Sequence, residues 1–166
     1  MADEDESSAR AAYIDSHAHV FSRLSSEFPR RTSDLFPAER EEPVEKLLGE
    51  MESNGVSQAV LVQIGGSSLE HHAYLRHCLK EYPGRLCGIG CVPTDSDSIP
   101  AHMDRLADYG IIGFRLSSMG GPVDPLEPGD VRDCITYPIW KHAAEKDYVL
   151  YLYPRAIDSH VVPFLL

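Results

Sequence analysis

The sequence predicts an α/β fold, an incomplete (β/α)8 barrel in which about five parallel strands alternate with helices. Nearly continuous apolar segments rich in β-branched residues, which are typical of buried strands, alternate with segments whose apolar residues recur at helical spacing. Strict alternation of this kind implies a parallel sheet with right-handed crossovers. Each unit takes about 30 residues, so the 166 residues hold five strands. An open, doubly wound sheet of five strands satisfies the same periodicity and stays an alternative.

The first predicted strand is the segment YIDSHAHVF, residues 13–21. The segment 22–42 that follows is polar and irregular, and it contains two prolines. A loop of this length is unusual in a compact domain unless it is functional or flexible. One interpretation is that this loop forms a lid over a site, in which Arg30 and Arg31 contact an anion. The alternative is that it is a solvated, charged loop.

A helix is predicted over 42–55 because its apolar residues recur at helical spacing. Pro43 suits the first helical turn and Gly55 suits the C-terminal cap. The next segment, 56–65, is almost continuously apolar and therefore predicts a buried strand.

The second helix is predicted over 68–84, with Ser68 as its N-cap and the Pro-Gly pair at 83–84 as its stop. A third strand follows at 85–93. These two elements repeat the helix-then-strand order of the preceding unit, as a parallel sheet requires.

The remaining elements continue the same alternation. A third helix is predicted over 98–110 and closes at Gly110, and a fourth strand over 111–118 comes next. The fourth helix and the fifth strand are predicted over 135–147 and 148–154.

Composition limits the classes of partner. Aspartate and glutamate total 26 against 15 lysines and arginines, a net charge of −11, which disfavours binding to nucleic acid. No apolar run approaches the roughly 20 residues of a membrane span. Residues 1–11 are predicted to be a disordered acidic tail without the features of a targeting peptide, and 12–166 to be one barrel portion. We therefore expect a cytoplasmic protein with a small-molecule substrate and no nucleic-acid or membrane partner.

The motif Asp15-Ser16-His17-Ala18-His19 carries the strongest chemical signal. Alternation along a strand puts Asp15, His17 and His19 on one face. The two histidines lie about 7 Å apart along a strand, so both imidazoles can converge on one divalent cation. They also stand at the C-terminal end of the first strand, the catalytic end of a parallel barrel. Among eight histidines an H-x-H pair also arises by chance.

Two further residues are candidates for binding a substrate. Arg115 lies near the C-terminal end of the fourth strand, where a guanidinium can hold a carboxylate through two hydrogen bonds. An ordinary salt bridge is the alternative for Arg115. Gln63 ends the second strand in the same layer and could hydrogen-bond a substrate.

Four segments together resemble the amidohydrolase superfamily: DSHAHVF, GVSQAVLVQ, GRLCGIGCV and GIIGFRL. The likeness is to the amidohydrolase-related branch, whose members include decarboxylases and lactonases acting on small carboxylated substrates, and it spans about residues 13–154. It implies a divalent metal, typically zinc, held by His17 and His19. It also implies hydrolysis of a small carboxylated lactone, amide or related compound.

The sequence departs from the family on the fifth strand, where Tyr151 and Tyr153 stand in place of a metal-binding histidine. Some lactonase-like members work without a bound metal. The aspartate that the family carries on its eighth strand would lie beyond residue 166. A truncated, catalytically silent half-barrel that associates with itself or another chain through an exposed sheet edge is therefore the alternative to an active hydrolase. The long first β–α loop disfavours a flavodoxin-like binding module.

Overall fold

The computed structural model describes residues 13–94, 98–116, 132 and 135–153. Within this part, five strands alternate with four helices, and a short 3₁₀ turn precedes the second helix. The strands are β1 (Tyr13–Ala18), β2 (Val56–Val62), β3 (Leu86–Gly90), β4 (Ile111–Leu116) and β5 (Val149–Leu152). The helices are α1 (Val44–Asn54), α2 (Ala73–Glu81), α3 (Ile99–Ala107) and α4 (Tyr137–Lys146), and the 3₁₀ turn is Glu70–His72.

The strand order in the sheet is the order in the chain, β1-β2-β3-β4-β5, and every neighbouring pair is parallel. A doubly wound sheet reverses its strand order at a switch point. The predicted incomplete barrel is therefore confirmed, and the open doubly wound alternative is wrong.

The sheet is strongly curled. Its edge strands β1 and β5 would lie about 19 Å apart in a flat sheet, four spacings of about 4.8 Å. Yet the His17 side chain on β1 lies 2.6 Å from the Tyr151 hydroxyl on β5. The two edges therefore face each other across a concave surface, as strands on opposite sides of a barrel do.

The hydrophobic core lies between the convex face of the sheet and the helices. Phe114 and Leu61 from the strands are fully buried there, together with Met103 and Leu106 from α3. Burial of large apolar side chains is the main stabilising contribution to a layer of this kind. In the described ranges, no helix has both the length and the apolar character to cross a membrane.

All four helices are shorter at both ends than the sequence predicts. Pro43 precedes α1 in an extended conformation with ψ 152° and does not occupy its first turn. Gly55 ends α1 in the left-handed conformation, as predicted. Residues 70–72 form a 3₁₀ turn before α2, and the Ser68 hydroxyl accepts a hydrogen bond from the His71 N–H over 3.4 Å.

β1 contains an irregularity at the motif. Asp15 pairs with Ala59 and Ala18 pairs with Leu61, so three steps on β1 match two on β2. The Asp15 carboxylate turns back to accept the His17 backbone N–H at 2.9 Å. The side chains of residues 15, 17 and 19 therefore do not simply share one face of the strand. The strand bulges here, and the Asp15 carboxylate binds the backbone within the bulge.

The loop 22–42 is anchored by a buried arginine. Phe21 and Glu42 close its base through two backbone hydrogen bonds, of 2.9 and 2.8 Å. Inside the loop, the Arg30 guanidinium donates to five backbone carbonyls, those of Ser22, Phe36, Pro37, Ala38 and Arg40. The prediction of Arg30 as an anion contact is wrong, because its donors are occupied within the loop and only 9% of its surface is exposed.

Candidate active site

The centre of the candidate site is a pair of converging imidazoles. His17 Nε2 and His19 Nε2 lie 3.1 Å apart, and the ring planes are nearly perpendicular, at 89°. Both residues are half-buried at the C-terminal end of β1. The structure thus brings together the two histidines that the motif predicts to act jointly.

Each imidazole is oriented by a partner on its other nitrogen. His19 Nδ1 lies 2.8 Å from the Val62 carbonyl oxygen, and His17 Nδ1 lies 2.6 Å from the Tyr151 hydroxyl. A carbonyl only accepts, so His19 carries its proton on Nδ1 and, when neutral, presents a lone pair on Nε2. In the absence of a cation, His17 Nε2 then donates to His19 and Tyr151 donates to His17. In the other tautomer, His17 carries its proton on Nδ1 and presents a lone pair on Nε2. The Tyr151 hydroxyl then accepts the hydrogen bond from Nδ1.

The surroundings of His17 favour the neutral imidazole. Burial lowers the pKa of His17, the neighbouring His19 and Arg115 lower it further, and Asp15 opposes them. A neutral imidazole is the form that accepts a proton or ligates a metal. His17 is therefore in a competent state at neutral pH.

Two converging Nε2 atoms fit two positions of a tetrahedral zinc site. Zinc–nitrogen distances of about 2.0–2.1 Å place two such ligands about 3.3–3.4 Å apart, close to the observed separation. Catalytic zinc sites commonly have three protein ligands. The described residues contain no group of three or more histidine, cysteine, aspartate or glutamate side chains that could hold a metal. Within that part of the chain, the pair could supply two ligands, whereas the Tyr151 hydroxyl contacts His17 Nδ1, on the side of the ring away from Nε2.

Arg115 reaches the same region from β4. It pairs in register with Tyr151, and its guanidinium carbon lies 4.7 Å from the centre of the Tyr153 ring. Its Nε is buried without a hydrogen-bond partner among the described residues, and no carboxylate there lies within salt-bridge distance of it. The ordinary salt bridge considered for Arg115 is thus not found in the described part of the chain.

A pocket of about 690 Å³ opens at the C-terminal ends of β2, β3 and β4; neither His17 nor His19 lines it, but Arg115 both lines it and lowers the pKa of His17. Cavities of a few hundred to about 1,000 Å³ are typical of small-ligand sites. The described lining residues include no aspartate or glutamate; they are Arg31, Gln63, Ile64, Gly65, Gly66, Ser67, Cys91, Val92, Pro93, Thr94, Arg115, Leu116, Ile135 and Thr136. The pocket therefore has a cationic character in a protein with a net charge of −11.

Gln63 lines this pocket, but its amide group is largely engaged. Its Nε2 donates to the carbonyls of Ile64, Gly66 and His71, over 2.7, 3.2 and 2.9 Å. Gln63 thus holds the β2–α2 turn in shape. A direct contact of Gln63 with a substrate remains a prediction.

Three features of the site are not evident from the sequence. Tyr151 is noticed there only as a departure from a pattern, whereas it contacts His17 directly. The Val62 carbonyl, which orients His19, has no side-chain signature at all. His72 has no chemical signal in the sequence; it is fully buried and accepts the Cys91 N–H at 3.0 Å, beside the pocket wall.

Comparisons with known proteins agree with the curled parallel sheet. The model of the amidohydrolase family matches residues 14–164. The chain belongs to this amidohydrolase family. No curated protein matches it significantly.

Two solved structures show the same fold. A probable 2-pyrone-4,6-dicarboxylic acid hydrolase from Acinetobacter baumannii, with citric acid bound, is 21% identical over 84% of this chain and 48% of that one, with a TM-score of 0.62. An amidohydrolase from Burkholderia multivorans with bound zinc is 19% identical over 93% of this chain and 53% of that one, also with a TM-score of 0.62. The chain spans about half the length of these proteins.

Proposed function

We propose that this chain forms the part of a hydrolase active site that binds a small carboxylated lactone, amide or related substrate and presents its carbonyl to the His17–His19 pair. The observation that carries the proposal is the 3.1 Å approach of the two Nε2 atoms, with Arg115 linking the pair to a pocket that has arginines and no described carboxylate. Attack on a carbonyl needs a group that accepts a proton from water, and it needs a means to hold the substrate.

The chain's own residues divide this work. Arg115 binds the substrate carboxylate, because its guanidinium has a buried Nε without a partner and faces no described acid. With its proton on Nδ1, His17 offers a single Nε2 lone pair, since its lowered pKa keeps the ring neutral; without a bound cation this nitrogen accepts a proton from the attacking water, and with one it is a metal ligand. His19 holds the His17 ring from one side and Tyr151 holds it from the other.

We expect a divalent cation, zinc, at the Nε2 atoms of His17 and His19. When bound there, zinc would lower the pKa of a coordinated water to about 7 and polarise a carbonyl. The separation of the two nitrogens supports this assignment, as does the zinc of the Burkholderia protein. The remaining ligands would come from solvent or from residues outside the described part.

The Acinetobacter neighbour supports the substrate class. It is described as a probable hydrolase of a 2-pyrone dicarboxylic acid, and it holds citric acid. A 2-pyrone is a cyclic ester, so its hydrolysis is the opening of a lactone. A carboxylated lactone is accordingly the substrate with which we would begin.

The second candidate is a catalytically silent half-barrel that associates through its sheet edges. Two observations favour it: the described residues contain no group of three side chains that could hold a metal, and apolar side chains are exposed on both edge strands. Ile14 on β1 is 59% exposed, and Val149 on β5 is 48% exposed. Exposed parallel edges are open to pairing with a second chain.

The His17→Ala variant tests the proposed hydrolase. With zinc present, we expect the wild-type chain to open carboxylated lactones, among them 2-pyrone-4,6-dicarboxylate, and the variant to lose at least about 100-fold in rate. His77→Ala is the matched control, since His77 is exposed on α2 and outside the site. An active His17→Ala chain would contradict the proposal, and an inactive wild-type chain would favour the silent half-barrel.

A further inference from the structure

Arg31 is a second arginine on the wall of the candidate pocket. Its backbone N–H donates to the Gly65 carbonyl at 2.6 Å, which ties the loop 22–42 to the turn after β2. Gly65 has a φ of 80°, and a Cβ built there would lie 3.2 Å from the Arg30 Cβ, so glycine permits this close approach. Arg31 thus has a fixed backbone and an exposed side chain at the mouth of the pocket.

The charge around Arg31 differs from that around three other arginines of the chain, although Arg76 and Arg105 also have no carboxylate within salt-bridge distance among the described residues. Arg23, Arg40 and Arg85 each lie within 3.6 Å of a glutamate oxygen. Neither Arg31 nor Arg115 has a carboxylate within salt-bridge distance among the described residues. Two guanidiniums that have no acidic partner among the described residues therefore line one pocket.

We infer that the substrate carries two carboxylate groups, that Arg115 binds one at the floor of the pocket, and that Arg31 binds the other at its mouth. This inference rests on the proposed function, because it names the substrate class of the same site. A guanidinium without an acidic partner matches a carboxylate in charge and in hydrogen-bond geometry. The pocket volume of about 690 Å³ has room for a compact ligand that spans both groups. A monocarboxylate would leave one guanidinium without an anion.

Equilibrium binding to the full 166-residue chain tests this inference without any need for catalysis. Calorimetric titration would compare two ligands of equal chain length, glutarate and valerate. We expect glutarate to bind at least about tenfold more tightly, since a hydrogen-bonded charge pair is added. Arg31→Gln should remove this difference and leave valerate binding unchanged, whereas Arg115→Gln should weaken both ligands.

Arg23→Gln is the matched control, because it removes one positive charge from the same loop at a residue that does not line the pocket. It should preserve the preference for glutarate. Circular dichroism would establish that each variant is folded, and Arg31→Lys should recover part of the preference.

Three results would overturn the inference. They are equal affinity of the wild-type chain for the two ligands, an unchanged preference in Arg31→Gln, and absence of binding by either ligand. A chain that binds glutarate through Arg31 but opens no lactone would keep this inference and contradict the proposed hydrolase.

Discussion

At the scale of single residues, hydrogen bonds decide which nitrogens of the histidine pair face each other. The Val62 carbonyl orients His19, and the Tyr151 hydroxyl orients His17. Both Nε2 atoms are thereby directed to one point, where an unoriented side chain would sample several rotamers. Orientation of this kind by outer partners is a usual requirement of histidine sites.

His72 makes a prediction about pH. Burial lowers the pKa of His72 to about 4, from an ordinary value of 6.5. The unfolded chain therefore takes up this proton first as the pH falls. The neutral His72 therefore contributes about 3 kcal/mol to the free energy of unfolding. This contribution is fully present above pH 6.5 and is lost as the pH falls from 6.5 to about 4. Urea unfolding across this pH range should show a shallower decline in His72→Gln than in the wild type.

His77→Gln provides the control for that measurement, because His77 lies on α2, the helix that directly follows His72, and is exposed. Its pH dependence should match that of the wild type. Burial also lowers the pKa of His17 and His102, so some decline persists in every variant. An identical slope in His72→Gln and the wild type would contradict the assignment.

Arg30 makes a prediction about the loop 22–42. Its guanidinium donates to five carbonyls inside the loop, so Arg30→Met should leave several of these acceptors without partners. We expect a loss of about 1–3 kcal/mol in unfolding free energy and faster proteolysis within the loop. Arg23→Met, at a residue with a 66% exposed side chain, should change neither quantity measurably. Equal proteolysis rates in the two variants would argue against an anchoring role for Arg30.

At the scale of elements, the approach of β5 to β4 places Tyr151 against His17. Gly113 on β4 lies directly beside Val149 on β5, and a Cβ at this position would come within 2.3 Å of the Val149 carbonyl oxygen. Glycine is therefore required for the two strands to pair at this point. The geometry of the site depends on this pairing, because Tyr151 comes from β5.

Gly113→Ala should consequently destabilise the chain by about 1–3 kcal/mol and separate Tyr151 from His17. Denaturant unfolding would measure the first effect, and the histidine ring nitrogen resonances in NMR spectra would report the second. Gly49→Ala is the matched control, since no atom lies within 4 Å of a Cβ at this position in α1. It should stabilise the helix by about 0.5–1 kcal/mol. A Gly113→Ala chain as stable as the wild type would contradict the packing argument.

At the scale of the whole molecule, the curled sheet leaves two unpaired edges, at β1 and β5, in the described part of the chain. A sheet of this curvature completes a barrel only with further strands. Association with a second chain through these edges is the corresponding proposal, and it makes stability depend on protein concentration.

Urea unfolding of the full chain, at several protein concentrations and with or without zinc, tests both the metal and the association. A zinc concentration 100 times the dissociation constant should add about 2.7 kcal/mol to the unfolding free energy. A chelator should reverse this gain, and the His17→Ala variant should lack it. An unfolding midpoint that does not change with zinc would argue against the metal site. A midpoint that does not change with protein concentration would argue against association.

The sequence by itself determines the alternation of strands and helices, the parallel sheet and the pairing of His17 with His19, because these follow from periodicity and local spacing. Contacts between distant segments appear only in the tertiary structure. Tyr151 meets His17 because the sheet curls, and Arg30 is buried because its loop folds around it. The choice between a barrel and an open sheet also depended on strand order. Local pattern constrains each element, whereas the partners of a side chain depend on where the other elements come to lie.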